Sequence, residues 1–261
     1  MNNNPMSETN SFPSQHPWDR KFFLLMISFV WLALLLGFIN DAFLLSAAGR
    51  FHFPWIVHLH ALVYWGWMIL FTAQLLYIRK NKFQLHKKLG MAGVAMAVMV
   101  MIMGIATALI TEHVKFGTQY SDPAFVSVML GDMLVFTGLA ASGLYFRKNP
   151  SAHKRLMLLS TLILTDAGFG RGLSVWLASL MGKPYWEYSN FFDGFWPFVV
   201  RQLLCPFTLI LFVGTYDLIT RRRLHPAYVL GVVWALSIDL TAGWLYFNDN
   251  WLKIATKLIG H

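Results

Sequence analysis

Charge is what this sequence has least of. Only 13% of its 261 residues are charged, against about 25% in a typical soluble domain. Too little polar surface remains to cover a water-soluble globule of this size. Cysteine is almost absent: Cys205 stands alone inside an apolar stretch. That excludes an intrachain disulfide and leaves the redox compartment unread. There is no Gly-rich nucleotide loop, no His-Glu-x-x-His, no serine nucleophile elbow and no haem-attachment cysteine pair. No lysine lies in the last long apolar stretch, so a retinal Schiff base like that of microbial rhodopsins has nothing to form on. Met1–Arg20 contains no apolar core and reads as a mobile polar tail, not a cleaved leader.

What is present is apolar. Hydrophobic residues make up 57% of the chain and the mean hydropathy is +0.52. The 22 Phe and 11 Trp fit a protein covered by lipid, since Trp favours the membrane–water boundary. Seven stretches approach the roughly 20 residues that a membrane-crossing helix needs: Phe22–Leu45, Pro54–Ile78, Leu89–Ile110, Ala124–Phe146, Leu156–Ser179, Phe195–Tyr216 and Ala227–Tyr246. The expected fold is an all-α integral membrane protein of seven transmembrane helices. A polar cytoplasmic tail (1–20) precedes the membrane domain (21–247), and a short external tail (248–261) follows it.

The net charge of +9 is distributed as topology distributes it. One set of alternate loops carries Arg20 and Lys21, then Arg79, Lys80, Lys82, Lys87 and Lys88, then Arg147, Lys148, Lys154 and Arg155, and lastly Arg221 to Arg223. The other set has only Arg50, Lys115, Lys183, Lys253 and Lys257. This bias predicts the N-terminus inside and the C-terminus outside. It leaves no continuous basic face for nucleic acid.

The basic loops also repeat. Arg79-Lys80-Asn81 leads to His86-Lys87-Lys88-Leu89, as Arg147-Lys148-Asn149 leads to His153-Lys154-Arg155-Leu156. A weaker third copy is Arg221-Arg222-Arg223-Leu224-His225-Pro226. Three helical hairpins in the same orientation, hence parallel repeats, follow the first helix.

Ionisable groups inside a bilayer are costly and mark function by default. At roughly 1.5 Å per residue, Asp41, His58, His60, Asp132, Arg171, Arg201 and Asp239 fall in the outer half, with Asp166 near the middle. This set either fastens the bundle as ion pairs or lines an outward-facing ligand pocket. His58 and His60 are metal-ligand types, but residues two apart on a regular helix point about 200° apart. His60 instead shares a face with Tyr64 and Trp67. His86, His153 and His225 either anchor helices at the headgroups or hold a shared metal or haem.

The run His58-Leu59-His60, Gln74, His86-Lys87-Lys88-Leu89-Gly90, Gly131-Asp132 and His153-Lys154-Arg155-Leu156-Met157, ending in Leu224-His225-Pro226-Ala227, resembles an uncharacterised bacterial multi-spanning inner-membrane protein family. The resemblance implies a location in the bacterial inner membrane. The His-basic-basic-apolar motif at His86 and His153 also resembles the membrane proteins that assist haem–copper oxidase assembly. A di-haem cytochrome b would need four intramembrane histidines; only His58 and His60 qualify.

Three function classes stay open. The pocket binds a metal, haem or small polar ligand in a respiratory redox or oxidase-assembly context, with haem b or a transition metal on His58, His60, His86 or His153. Alternatively the chain is a proton-coupled transporter of a small anionic solute. In the third class it is a structural or assembly partner of a respiratory membrane complex, without chemistry of its own.

Overall fold

The computed structural model describes residues 12–13, 15–47, 53–182 and 194–261, all helix, turn or loop. Nine α-helices lie among these residues: α1 (Asp19–Ala47), α2 (Trp55–Arg79), α3 (Phe83–Lys115), α4 (Val126–Tyr145), α5 (Pro150–Ile163), α6 (Asp166–Met181), α7 (Phe195–Arg221), α8 (Pro226–Tyr246) and α9 (Asp249–Leu258). Five segments are long and apolar enough to cross a membrane: Asp19–Leu44, Trp55–Arg79, Phe83–Lys115, Pro123–Lys148 and Pro226–Tyr246. This fits a multi-pass membrane protein. The single helix expected over Leu156–Ser179 is instead divided into α5 and α6. Within α7 several side chains, those of Arg201 and Cys205 among them, lie outside the description.

Helix ends are set by local chemistry. The Asn149 side chain accepts the amides of Ser151 and Ala152 ahead of Pro150 at the start of α5. His225 accepts the Ala227 amide on Nδ1 ahead of Pro226. Asn248 caps α9 through the amides of Asn250 and Trp251. The stretch expected as a tail thus forms a helix over Asp249–Leu258, held to the turn just before α4 by Trp251 Nε1 donating to the Ala124 carbonyl at 3.0 Å.

Packing runs α2 along α3, α4 against α3, α5 and α8, and α1 against α6. The core is apolar, with Trp67, Phe136, Leu158, Leu162 and Ile210 fully enclosed. Long apolar side chains such as Phe43, Leu62, Ile69 and Leu230 are exposed, as expected for helices facing lipid.

The basic loops meet at one end of the bundle. Arg20 donates to the Arg79 carbonyl and to Asn81 Oδ1. The His86 and His153 rings stand edge to face with centroids 6.2 Å apart. Beneath this surface lies a buried ionic network. Arg155, 1% exposed, forks onto Asp217 through Nε (2.6 Å) and Nη2, and its Nη1 reaches the Ser151 carbonyl at 2.8 Å. Arg221 Nη2 donates to both Asp19 oxygens at 2.7 and 2.8 Å, and the same carboxylate accepts Lys154 Nζ and Tyr216 Oη. Within the segment expected as a mobile tail, Phe12 packs over Arg155 and stands edge-on to His225, while Pro13 accepts from Arg221 Nε.

A buried carboxylate or guanidinium left alone is far costlier than the pair is favourable. Asp217→Asn should therefore lower unfolding stability by about 3–5 kcal/mol, read as a fall in the detergent unfolding midpoint. Burial, and after it the charge of Arg155, hold the His225 pKa down at about 4 against its ordinary 6.5. The folded state then binds fewer protons than the unfolded one between these values, so stability falls as pH drops from 6.5 towards 4. His225→Asn, which keeps a capping oxygen, should flatten that part of the midpoint-against-pH curve.

Candidate functional site

Away from the basic loops, the polar side chains inside the bundle are far less well satisfied. The reason begins in the sequence Thr165-Asp166-Ala167-Gly168-Phe169-Gly170-Arg171-Gly172. Each glycine in a helix interior costs about 1 kcal/mol relative to alanine. Thr165 turns its hydroxyl back to the Leu162 carbonyl at 2.5 Å, and its amide makes a short-range bond to the same oxygen at 3.0 Å. The helix stops at Ile163 and restarts at Asp166. The glycines then serve packing: a Cβ on Gly37 of α1 would collide with the Gly168 carbonyl, and Gly172 also faces Gly37.

The restart places Asp166 in the first turn of α6, where the amide ends favour negative charge. Asp132 from α4 and Asp239 from α8 both lie within electrostatic reach of Asp166, and Asp132 within reach of Asp239. Three helices that are far apart in sequence thus bring three carboxyls together. Asp132 and Asp239 are half-buried, and neither makes a hydrogen bond or ion pair with a described residue. Ionised carboxyls within electrostatic reach repel one another, and a proton or another cation among them relieves that repulsion.

Around this trio the expected site residues divide. Arg171 pairs with Asp41 through Nε at 3.0 Å, donates to the Ala167 carbonyl and packs over the Phe38 ring. It fastens α6 to α1, not to Asp166 within its own helix. His60 is half-buried, lies against Tyr64 with ring centroids 3.9 Å apart and the planes tilted by 32°, and is within electrostatic reach of Arg171. Trp67 turns away, donating Nε1 to Thr161. His58 is exposed and does not join His60.

The other histidine candidates lie at the basic end. The His153 Nδ1 is 2.7 Å from the Gly143 carbonyl. With the Gln74 amide nitrogen turned towards His86, it donates to His86 Nδ1, and the amide oxygen accepts from Gly90 N. Among the described residues, no three His, Cys, Asp or Glu side chains converge to hold a metal ion. A groove of about 510 Å³ between α1, α6 and α7, lined by Phe29, Leu32, Phe169 and Trp176 with Asn40 and Ser179, is almost wholly apolar. None of the expected site residues whose side chains are described lines it.

Two groups of residues escaped the sequence reading. Asp19, Arg155, Asp217 and Arg221 form the ionic network, yet in the sequence their positions at helix ends make them look like ordinary loop charges. The spacing of Asp217 and Arg221, one helical turn apart, was the available signal. Met133 is the second omission. Its Sδ accepts the Tyr64 hydroxyl at 3.1 Å, and nothing in a methionine-rich apolar stretch distinguishes that sulfur from packing.

No protein-family model, curated protein or solved structure matches this chain.

The two polar regions should respond differently to neutral replacement. Asp132→Asn and Asp239→Asn remove charges that no described side chain compensates, so each should cost less than about 1 kcal/mol or raise the detergent unfolding midpoint. A loss as large as that expected for Asp217→Asn would mean that these carboxyls hold the bundle together.

Proposed function

We propose that this chain is a proton-coupled transporter of a small solute. The observation that carries the reading is the break at Leu164–Thr165, which sets Asp166 beside Asp132 and Asp239. Discontinuous helices are where secondary transporters build their ion and substrate sites, because freed backbone groups and a helix terminus face the site. Carboxyls that gain and lose protons there couple a proton gradient to rearrangement of the helices. Arg171, already partnered by Asp41, is the described guanidinium nearest to this role. An anionic solute would compete with Asp41 for it, which supports small anions as the first solutes to try.

In this reading α5 and α6 together make one interrupted span and α7 another, bringing the five continuous spans to seven. The gathered basic loops support an N-terminus in the cytoplasm of a bacterium, by the same charge bias that orients other inner-membrane proteins. The three hairpins would then be parallel repeats around a common site. The satisfied ionic network at the basic end supplies a rigid base, against which α6 and the far ends of its neighbours move.

The test begins with thermal shifts of the purified protein against a panel of small anions, at acidic and at neutral pH. The best stabiliser is then offered, radiolabelled, to proteoliposomes with and without an imposed proton gradient. The expected result is gradient-driven accumulation that a protonophore collapses and that Asp166→Asn reduces about tenfold or more. Accumulation indifferent to the gradient and to the protonophore would remove proton coupling.

A further inference from the structure

Of the described helices, α9 is the most strongly amphipathic, and its contacts fix where it lies. Only Phe247 and Asn248 separate it from the end of α8. Its first turn is tied to the turn Pro123–Phe125 ahead of α4 by the Trp251 indole. Just past its last turn, the Ile259 carbonyl is 2.7 Å from His113 Nδ1 near the end of α3, and the His261 ring stacks on Phe116 at 4.0 Å. At about 1.5 Å per residue the helix is a rod of about 15 Å. It therefore runs across the ends of α8, α4 and α3 that lie away from the basic loops, and does not stand out from them.

The bundle covers only part of the apolar surface of α9. At about 100° per residue, the buried Ala255 and Ile259 mark the side resting on the bundle. Next around the helix come Leu258 and Ile254, 48% and 56% exposed, and beyond them Lys257 and Lys253. Leu252, on the other flank, is exposed as well. The sole acidic residue of the helix is Asp249 in its first turn, and among the described residues neither lysine has an ion-pair partner. Exposed aromatic side chains bracket the rod: Trp244 and Phe247 at its start, Phe116 and Tyr120 beside its finish. Aromatic rings gather at the headgroup level of a bilayer. The membrane boundary of this multi-pass bundle thus passes along α9. A short amphipathic helix at that level, apolar on one side and lysine-bearing on the next, suits the boundary between acyl chains and phosphates.

We propose that α9 docks on an anionic phospholipid surface, with Ile254 and Leu258 entering the acyl boundary and Lys253 and Lys257 meeting the phosphates. Burying the two apolar side chains removes from water a surface that the bundle leaves uncovered. The lysines, one turn apart and unpaired, then face negative charge. This surface lies apart from the carboxyl trio, goes beyond the coupling proposal and does not depend on it.

The experiment uses the full chain in lipid nanodiscs, with Cys205→Ala or Cys205→Ser as background so that one introduced cysteine carries a nitroxide label. Collisions with oxygen, which concentrates among acyl chains, are compared with collisions with a water-soluble nickel chelate. In discs containing phosphatidylglycerol, labels at Ile254→Cys and Leu258→Cys should meet oxygen several-fold more than the chelate, and a label at Lys253→Cys the reverse. In discs of phosphatidylcholine alone, or when Lys257→Gln is added to Ile254→Cys, that oxygen excess should fall about twofold or more. The labelled positions are exposed, so they need no repacking; circular dichroism and elution volume check the fold, and the Ile254 and Leu258 labels report independently. Labels there that meet the chelate as freely as the one replacing Lys253 place this flank in water and overturn the proposal. Exclusion of both reagents overturns it too, because a protein surface would then cover the flank. So does an oxygen excess indifferent to lipid charge and to Lys257.

Discussion

The architecture depends first on the pairing of Arg155 with Asp217, both 1% exposed at the side chain. Two charges withdrawn from water are tolerable only when each hydrogen-bonding position is answered. Here the fork onto Asp217 and the Ser151 bonds answer the guanidinium, and Arg221 adds a weaker contact at 3.5 Å to the same carboxylate. Around that pair, Asp19 gathers Arg221, Lys154 and Tyr216 from two other helices. The start of α1, the start of α5 and the end of α7 are thereby fixed to one another, and Phe12 closes the surface above them. Loosening one partner would leave others charged and dry, so this end of the bundle holds as a unit.

The interior further from the basic loops follows a different rule. Its polar groups are not saturated: among the described residues Asp132 and Asp239 lack partners, and His60 Nδ1 has no hydrogen-bond partner. A protein can carry such groups only where something else meets them, whether proton, ion, solute or water. The break between α5 and α6 belongs with this. A continuous helix would satisfy its own backbone, whereas an interrupted one turns a helix start, with Asp166 in its first turn, towards neighbouring carboxyls. One end of the molecule is thus organised for rigidity and the region beyond it for exchange.

Much of the fold was legible because its causes are local. The helical stretches were readable from apolar runs, since the bilayer thickness sets how long such runs must be. Loop positions followed from Lys and Arg, and the start of α5 from Asn149-Pro150. The division of the fifth helix was also written locally, in three alternating glycines after Thr165-Asp166. Length and apolarity across Leu156–Ser179 outweighed that signal. The candidate site was legible only as a depth: residues on six helices at similar heights. Height does not say which way a side chain points. That is why Arg171 finds Asp41 across a helix interface, not Asp166 one turn away. The separation of His58 from His60, by contrast, was readable from the roughly 200° between residues two apart on a helix.

The sequence by itself determined that this chain is helical, apolar enough for lipid and basic in alternate loops, because composition and periodicity act over a few residues at a time. Tertiary structure alone decided the partners. It buried Arg155 on Asp217, brought Asp132, Asp166 and Asp239 within reach of one another, and set the Met133 sulfur against Tyr64. Each of these contacts joins positions far apart along the chain, and its energy exists only when helices pack closely enough to exclude water. No local pattern encodes that distance.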